Sequence, residues 1–571
     1  MLQIGTGKLF TREVEYRNNL KGIIYTNLRL MRDDKIETAG GSLIATENFR
    51  ESNVLIYELE ELIEACGEEP GVLASHGIAS FILDFSSILS FALNCTASPS
   101  YALTERLLSD EIGVTTHSRP NKVVKQTFDK TIYCHEDHKQ FLIHFTQQLI
   151  GLERKNYLGV MSAINTYVTG MQRIADDFEL AYTLLVASIE SLAQDFDGHQ
   201  AIWLDYEQNK RKAIDEALSD VSDDSAERVR NAILQNEHTS LGKRFREFAI
   251  QHITPSFYRE EADQAINPLT CFDLHITLSN AYLARSKYIH NLKKLPKPLD
   301  RDTGYTETCR IENKTWLTLQ GLSRLARHVI IQFVMRQPTV EREPYNYSLE
   351  RSNVMQVRLA PQYWIGTVNF NQGSGVVRLE GFLSQFANIL EKSQNEFLPN
   401  LTDLLTELPS NIDSLKKADK QAFIALYIIY NFILEKSQRL DNAEEFIKKY
   451  ESQILSPNPS ALITNLILGL TPNWNLEDHH DCLMKYFKER DNKMSFRCPQ
   501  LFESGMLLQL AERYREAGDV DKAIELIEKA VENYPNHTCL RQFEIEFKTE
   551  AKPIESNKIL LPEIEAEEST N

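Results

Sequence analysis

What this chain has little of sets its first limits. Its eight cysteines, at 66, 95, 134, 271, 309, 482, 498 and 539, include no CxxC pair and no dense framework. In 571 residues that scatter argues against a disulfide-stapled scaffold and fits reduced thiols in a reducing compartment. Metal-capable side chains crowd together twice, in Cys134-His135-Glu136-Asp137-His138 and His479-His480-Asp481-Cys482, but neither group has a second ligand pair at zinc spacing. No metal and no organic cofactor is expected. The phosphate-cradling GxxxxGK[ST] is missing, Gly5-Thr6-Gly7-Lys8 being too short, and so are GxGxxG and GxSxG, which argues against nucleotide-driven and serine-hydrolase chemistry.

Long apolar runs are also scarce. The best candidate, GIASFILDFSSILSFALNC at 77–95, is broken by Asp84, serines and Asn94, so it reads as a buried core helix and no membrane association is expected. The N-terminus has no basic stretch leading into an apolar one, which makes the cytoplasm the expected location.

What is present is ordinary for a folded protein: 42% hydrophobic, 9% aromatic and 25% charged residues. A net charge of −19 repels nucleic acid at long range, so any RNA contact needs a local basic patch.

The pattern predicts a mainly α protein. Residues 1–137 read as a small N-terminal α+β region, with β-favouring runs GIIYTNLRL and SLIATENF. Residues 138–300 read as a helical bundle, 301–380 as a linker helix over 313–334 followed by a linker or hairpin at 356–380, 381–550 as stacked helical hairpins, and 551–571 as a disordered acidic tail. Within the bundle, Asp176-Asp177 opens a long helix carrying Leu180, Leu184, Leu185, Ile189 and Leu192 at three- and four-residue spacing. The last helix, FDLHITLSNAYLARSKYIHN, runs into the proline-bearing exit KKLPKP.

Near the C-terminus, LAERYREAGDVDKAIELIEKAVENYPN at 510–536 resembles a tetratricopeptide repeat in Leu510, Ala511, Tyr514, Gly518, Ala523, Ile524, Ile527, Ala530 and Pro535. The small residues let two helices approach closely and Gly518 makes the turn, although an ordinary helical hairpin satisfies the same pattern. The resemblance implies a protein partner for this region, and 421–455 is a weaker neighbour.

Two arginines precede a histidine at the spacing Arg-x(4–6)-His: Arg285 with His290, and Arg246 with His252. The second pair lies in an amphipathic segment whose Phe245, Phe248 and Ile250 point to packing. The first ends the bundle, about 95 residues after the long central helix, beside Lys287, Lys293, Lys294, Lys297 and Arg301. Those cations fit a phosphate-bearing ligand, and equally a helix C-terminus whose dipole favours lysine.

This arrangement, with the central helix LAYTLLVASIESLAQDF, resembles the Apea-like branch of the HEPN ribonucleases over about 150 residues. The resemblance implies a metal-independent endoribonuclease, with Arg285 holding the scissile phosphate and His290 as general acid or base in attack by the RNA 2′-hydroxyl. Where the family usually follows the arginine with Asn, Asp or His, this chain has Ser286. Tyr288 and Asn291 are expected accessories, Glu190 is expected either to orient Arg285 or to serve packing, and Lys287, Lys293, Lys294 and Lys297 are expected to meet RNA. Five positions turn a helix by about 140°, so Arg285 and His290 do not share a face. In the HEPN family two such helices meet across a homodimer, and similar proteins act in bacterial toxin systems and phage defence. A non-catalytic dimeric HEPN scaffold recruiting a partner through the C-terminal repeats, or a helical adaptor with no nucleic-acid role, remains the alternative.

Overall fold

A computed structural model describes the chain except residues 33, 47–52, 66–75, 110–118, 197–201, 204–205, 207, 237–240, 352–353, 358, 392–396 and 562–571. The protein is mainly helical with a small N-terminal sheet, and it divides into two units, Met1–Gln356 and Val357–Asn571.

The sheet of the first unit is antiparallel. Its strands are β1 (Val14–Thr26), β2 (Lys35–Thr38), β3 (Gly41–Ala45), β4 (Asn53–Glu64) and β5 (Ala97–Ser98), in the order β2-β3-β4-β1-β5. Along the long β1–β4 ladder Leu20 faces Leu59 and Ile24 faces Leu55, so alternate residues line one face. On β1, a Cβ at Gly22 would stand 2.6 Å from the Ile82 side chain. Its absence lets helix α1 (Ile78–Leu93) lie close to the strand. This helix covers the segment weighed as a membrane span. Phe81, Phe85, Ile88, Leu89 and Phe91 are buried on it, and no described helix is long and apolar enough to cross a membrane.

The principal helices that follow in this unit are α2 (Glu136–Gly151), α3 (Arg154–Arg173), α4 (Phe178–Phe196), α5 (Leu241–Gln251), α6 (Leu274–Asn291) and α7 (Leu319–Arg336), with shorter or more exposed ones, Gln208–Ala217 and Asp223–Asn236 among them, between α4 and α5. As the acidic start predicts, the Asp177 carboxylate accepts from the Leu180 N–H at 2.8 Å and caps α4. One continuous buried cluster runs from Leu2 in the N-terminal segment to Val334 in α7. The breaks expected at 137 and 300 therefore fall inside one core.

The helix expected over 313–334 begins only at Leu319, where the Thr318 hydroxyl accepts from the Gly321 N–H. Before it, β6 (Thr308–Ile311) and β7 (Lys314–Leu317) form a hairpin. Its two loop residues, Glu312 and Asn313, both have positive φ, at 49° and 60°. That is the backbone of a type I′ turn without its usual glycine, which is why the hairpin left little trace in the sequence.

In the second unit the strand-like reading of 356–380 is corrected. Pro361–Tyr363 is a single 3-10 turn, and helix α8 already runs over Ser374–Leu390. Val376, Leu379, Phe382 and Leu383 are buried at helical spacing. The Asp419 carboxylate accepts from the N–H groups of Gly373 and Gly375 and holds the start of α8. Further helices follow: α9 (Lys417–Ile433), α10 (Pro459–Leu468), α11 (Leu476–Glu489), α12 (Gln500–Glu516), α13 (Val520–Asn533) and α14 (Thr538–Thr549). The α12–α13 hairpin turns at Gly518, φ +86°, and buries Ala511, Ala523 and Ala530 completely.

The expected disordered tail also changes at its start. Residues Ser556–Leu560 form helix α15, with Ile554, Ile559 and Leu560 buried in the core of this unit. The rest of that tail, 562–571, lies outside the described residues.

Candidate functional site

Helix α6 buries Leu274, Thr277, Leu278, Asn280, Ala281 and Ala284. That leaves Arg285 on the flank of the buried face and His290 on the solvent side. The sequence expectation that the two do not share a face holds in this geometry.

Arg285 is turned toward the bundle. Its Nη2 lies 2.8 Å from Glu190 Oε2 on α4, with side-chain exposures of 19% and 3%. The guanidinium also sits 5.8 Å from the centre of the Tyr282 ring, whose hydroxyl donates to Glu190 at 3.4 Å. Burial pushes the Glu190 carboxyl above its ordinary value, and the charge of Arg285 with bonds from Tyr282 and Gln194 pulls against it. Nε of Arg285 is buried and has no hydrogen-bond partner among the described residues. Of the expected accessory residues, Glu190 is thus brought to Arg285. Tyr282 belongs to the same cluster and was missed by the sequence reading, although it stands one turn before Arg285 on the same helix.

His290 is exposed and engages no hydrogen bond or ion pair among the described residues. The solvent face of α6 repeats every seven positions through Ile276, Leu283 and His290, and Ile276 and Leu283 are exposed apolar residues. Phe272, just before the helix, is 95% exposed and Leu292, just after it, 76%. Leu292 caps α6 in the left-handed conformation, φ 50°, which directs the chain into the basic exit. Lys287, Lys293, Lys294 and Lys297 are all exposed, as is Asn291. Ser286 is half-buried. Tyr288 is half-buried too; burial, then the charges of Asp177 and Glu179 at the start of α4, raise its phenol above the ordinary value.

In the other arginine–histidine pair the histidine is a packed core residue. His252 is 7% exposed, its Nδ1 bonds the Phe248 carbonyl at 2.8 Å, and its ring packs 4.4 Å from Phe248. Burial lowers its pKa, keeping a neutral core histidine. Lys8, in the short glycine segment, donates from Nζ to the Ile150 and Gly151 carbonyls. It thereby satisfies the C-terminal end of α2. The two crowded His/Cys/Asp/Glu segments are also put to structural use. His138 Nδ1 accepts from the His135 N–H at the start of α2, and His479 is fully buried with its Nδ1 bonded by Arg513. Among the described residues no group of three or more such side chains is arranged to hold a metal.

No protein-family model, curated protein or solved structure matches the chain.

Proposed function

We propose that the chain is a metal-independent endoribonuclease of the HEPN class acting as a homodimer, with Arg285 and His290 forming its catalytic groups. The observation that carries this reading is the solvent face of α6. It offers an exposed histidine, an unpartnered apolar stripe through Ile276 and Leu283, and four exposed lysines at one helix end. Two copies meeting along that stripe bury apolar surface and bring two helix ends together, the arrangement the residue spacing demands of a shared site. The lysines supply the local attraction that the overall charge denies.

In this reading the Arg285 fork neutralises charge developing on the phosphate while His290 moves a proton at the 2′-hydroxyl or at the leaving 5′-oxygen. Toxin or phage-defence action and a protein partner for the C-terminal hairpins belong to the same proposal.

One observation favours a second reading. Glu190 already engages Arg285 in a nearly dry setting, as in a structural arginine that keys α6 to α4 in a non-catalytic dimeric scaffold. Total RNA incubated with the purified protein and a chelator separates the two. The ribonuclease reading expects cleavage by the parent and its loss in Arg285→Ala and His290→Ala. The scaffold reading expects no cleavage by the parent and a dimer that Leu283→Asp dissociates.

A further inference from the structure

On α7 the residues Gln320, Ser323, Arg324 and Arg327 recur at three- and four-residue spacing, while most other positions of this helix are buried. That polar stripe faces a cavity of about 300 Å³ inside the first unit, at the lower end of the roughly 300–1,000 Å³ typical of small-molecule sites. Of the charged residues that line it, Arg324, Glu307 and Glu261 are already paired, while Lys125 and Asp263 stand at its exposed rim. Arg324 pairs through Nη2 with Glu307 at 2.7 Å and donates from Nη1 to the Phe257 carbonyl. His328, behind the wall, pairs with Glu261 at 2.7 Å.

Arg327 is different. It spends Nε and Nη2 on the carbonyls of Phe91 and Ala92, the last turn of α1, where a cation complements the helix dipole. Its Nη1 has no partner and no carboxylate within ion-pair distance among the described residues, and the side chain lines the cavity. Beside it stands Tyr167, only 3% exposed, which lines the same cavity and whose hydroxyl makes no hydrogen bond among the described residues. Burial pushes that phenol up to about 12, so at neutral pH it is a donor. Two unspent donors, one of them cationic, thus converge on one half-open pocket.

Asn94, Gln126 and Gln264, at φ 48°, 75° and 60°, line it in the left-handed region, Asn94 as the C-cap of α1. Glu261 also lines it. Burial works against its ionisation, but the bond and charge of His328 and the charges of Arg327 and Arg324 outweigh burial and lower its pKa. The cavity therefore pairs a donor wall with an acceptor.

We propose that this cavity binds a small organic anion, its carboxylate or phosphate head taken by Arg327 Nη1 and the Tyr167 hydroxyl, and its remaining hydroxyl or ammonium groups facing Glu261. The site lies on side chains of α3 and α7 and involves neither Arg285 nor His290, so it stands or falls independently of ribonuclease activity.

Calorimetric titration of the full chain with L-glutamate, ribose 5-phosphate and inorganic phosphate tests it. Binding by glutamate alone identifies a carboxylate ligand, and binding by either phosphate probe identifies a phosphate ligand. In either case Tyr167→Phe, which keeps the ring packed on Phe91, is expected to weaken binding about tenfold, and Arg327→Lys by more. Should Arg327→Lys fail to fold, Ser323→Val, which narrows the cavity, replaces it and is expected to abolish binding. The proposal is overturned if none of the three probes binds saturably, or if Tyr167→Phe and the second variant bind as the parent does.

Discussion

Arg285 Nη2 and Glu190 Oε2 stand 2.8 Å apart at the seam between α6 and α4. The pair joins the residue proposed to hold phosphate to a carboxylate that is almost wholly buried. A phosphate must therefore share or displace that carboxylate, which makes Glu190 the residue that sets how freely Arg285 acts.

Glu190 gives the first prediction. Burial pushes its carboxyl above the ordinary value, so the folded chain binds this proton more tightly than the unfolded one. The corresponding stability is complete below about pH 4.5 and is lost as pH rises through the folded value. Glu190→Gln has no proton to lose. Urea midpoints for the first unit, measured from pH 4.5 to 7, are expected to move in favour of the variant as pH rises. A parent–variant difference that stays constant with pH contradicts the assignment.

His252 supplies a control for the neighbouring motif. It packs against Phe248 and bonds its carbonyl, with no route to chemistry. His252→Gln is expected to cost about 1–3 kcal/mol of stability and to leave RNA cleavage at the parent rate below its melting point. A cleavage loss matching that of His290→Ala would move the site to the Arg246/His252 pair.

His479 predicts an acid-sensitive second unit. It is fully buried, and burial, then the charges of Arg513 and His480, lower its pKa to about 4. A histidine with a depressed folded pKa contributes stability above its unfolded value near 6.5 and loses it as pH falls toward the folded one. From pH 7 to pH 5 the loss is about 2 kcal/mol, read from denaturation at each pH. His479→Gln is expected to remove most of that pH dependence.

Gly321 fixes the wall of the polar cavity. A Cβ there would stand 2.3 Å from the Glu307 carbonyl oxygen and 2.9 Å from its carbon, both backbone atoms with little room to yield. Gly321→Ala is expected to destabilise the first unit by about 2 kcal/mol or more. Unchanged thermal stability would show that α7 does not rest on the backbone at Glu307.

The helical class, the small N-terminal sheet and the α4 cap at Asp177 were legible in the sequence, because periodicity and capping chemistry are local. The β6–β7 hairpin was not, since its turn uses Glu312 and Asn313 where glycine gives the usual signal. Nor was the start of α8, whose cap Asp419 lies 46 residues from Gly373. At the candidate site, the helix carrying Arg285 and His290 and their separation in angle could be read from spacing alone. The Glu190 contact could only be named as an option, and Tyr282 and the α6 apolar stripe needed the fold to show which face is covered. The cavity at Arg327 gave no local pattern, for its walls come from segments between residues 94 and 327.

The most direct test is the chemical end left on cleaved RNA. Attack by a 2′-hydroxyl expels the 5′-oxygen and leaves a 2′,3′-cyclic phosphate, with no metal required. With a defined RNA and excess chelator, the parent is expected to generate cyclic-phosphate ends, and Arg285→Ala and His290→Ala, both folded, to generate none above background. Cyclic-phosphate ends produced equally by both variants would contradict the account.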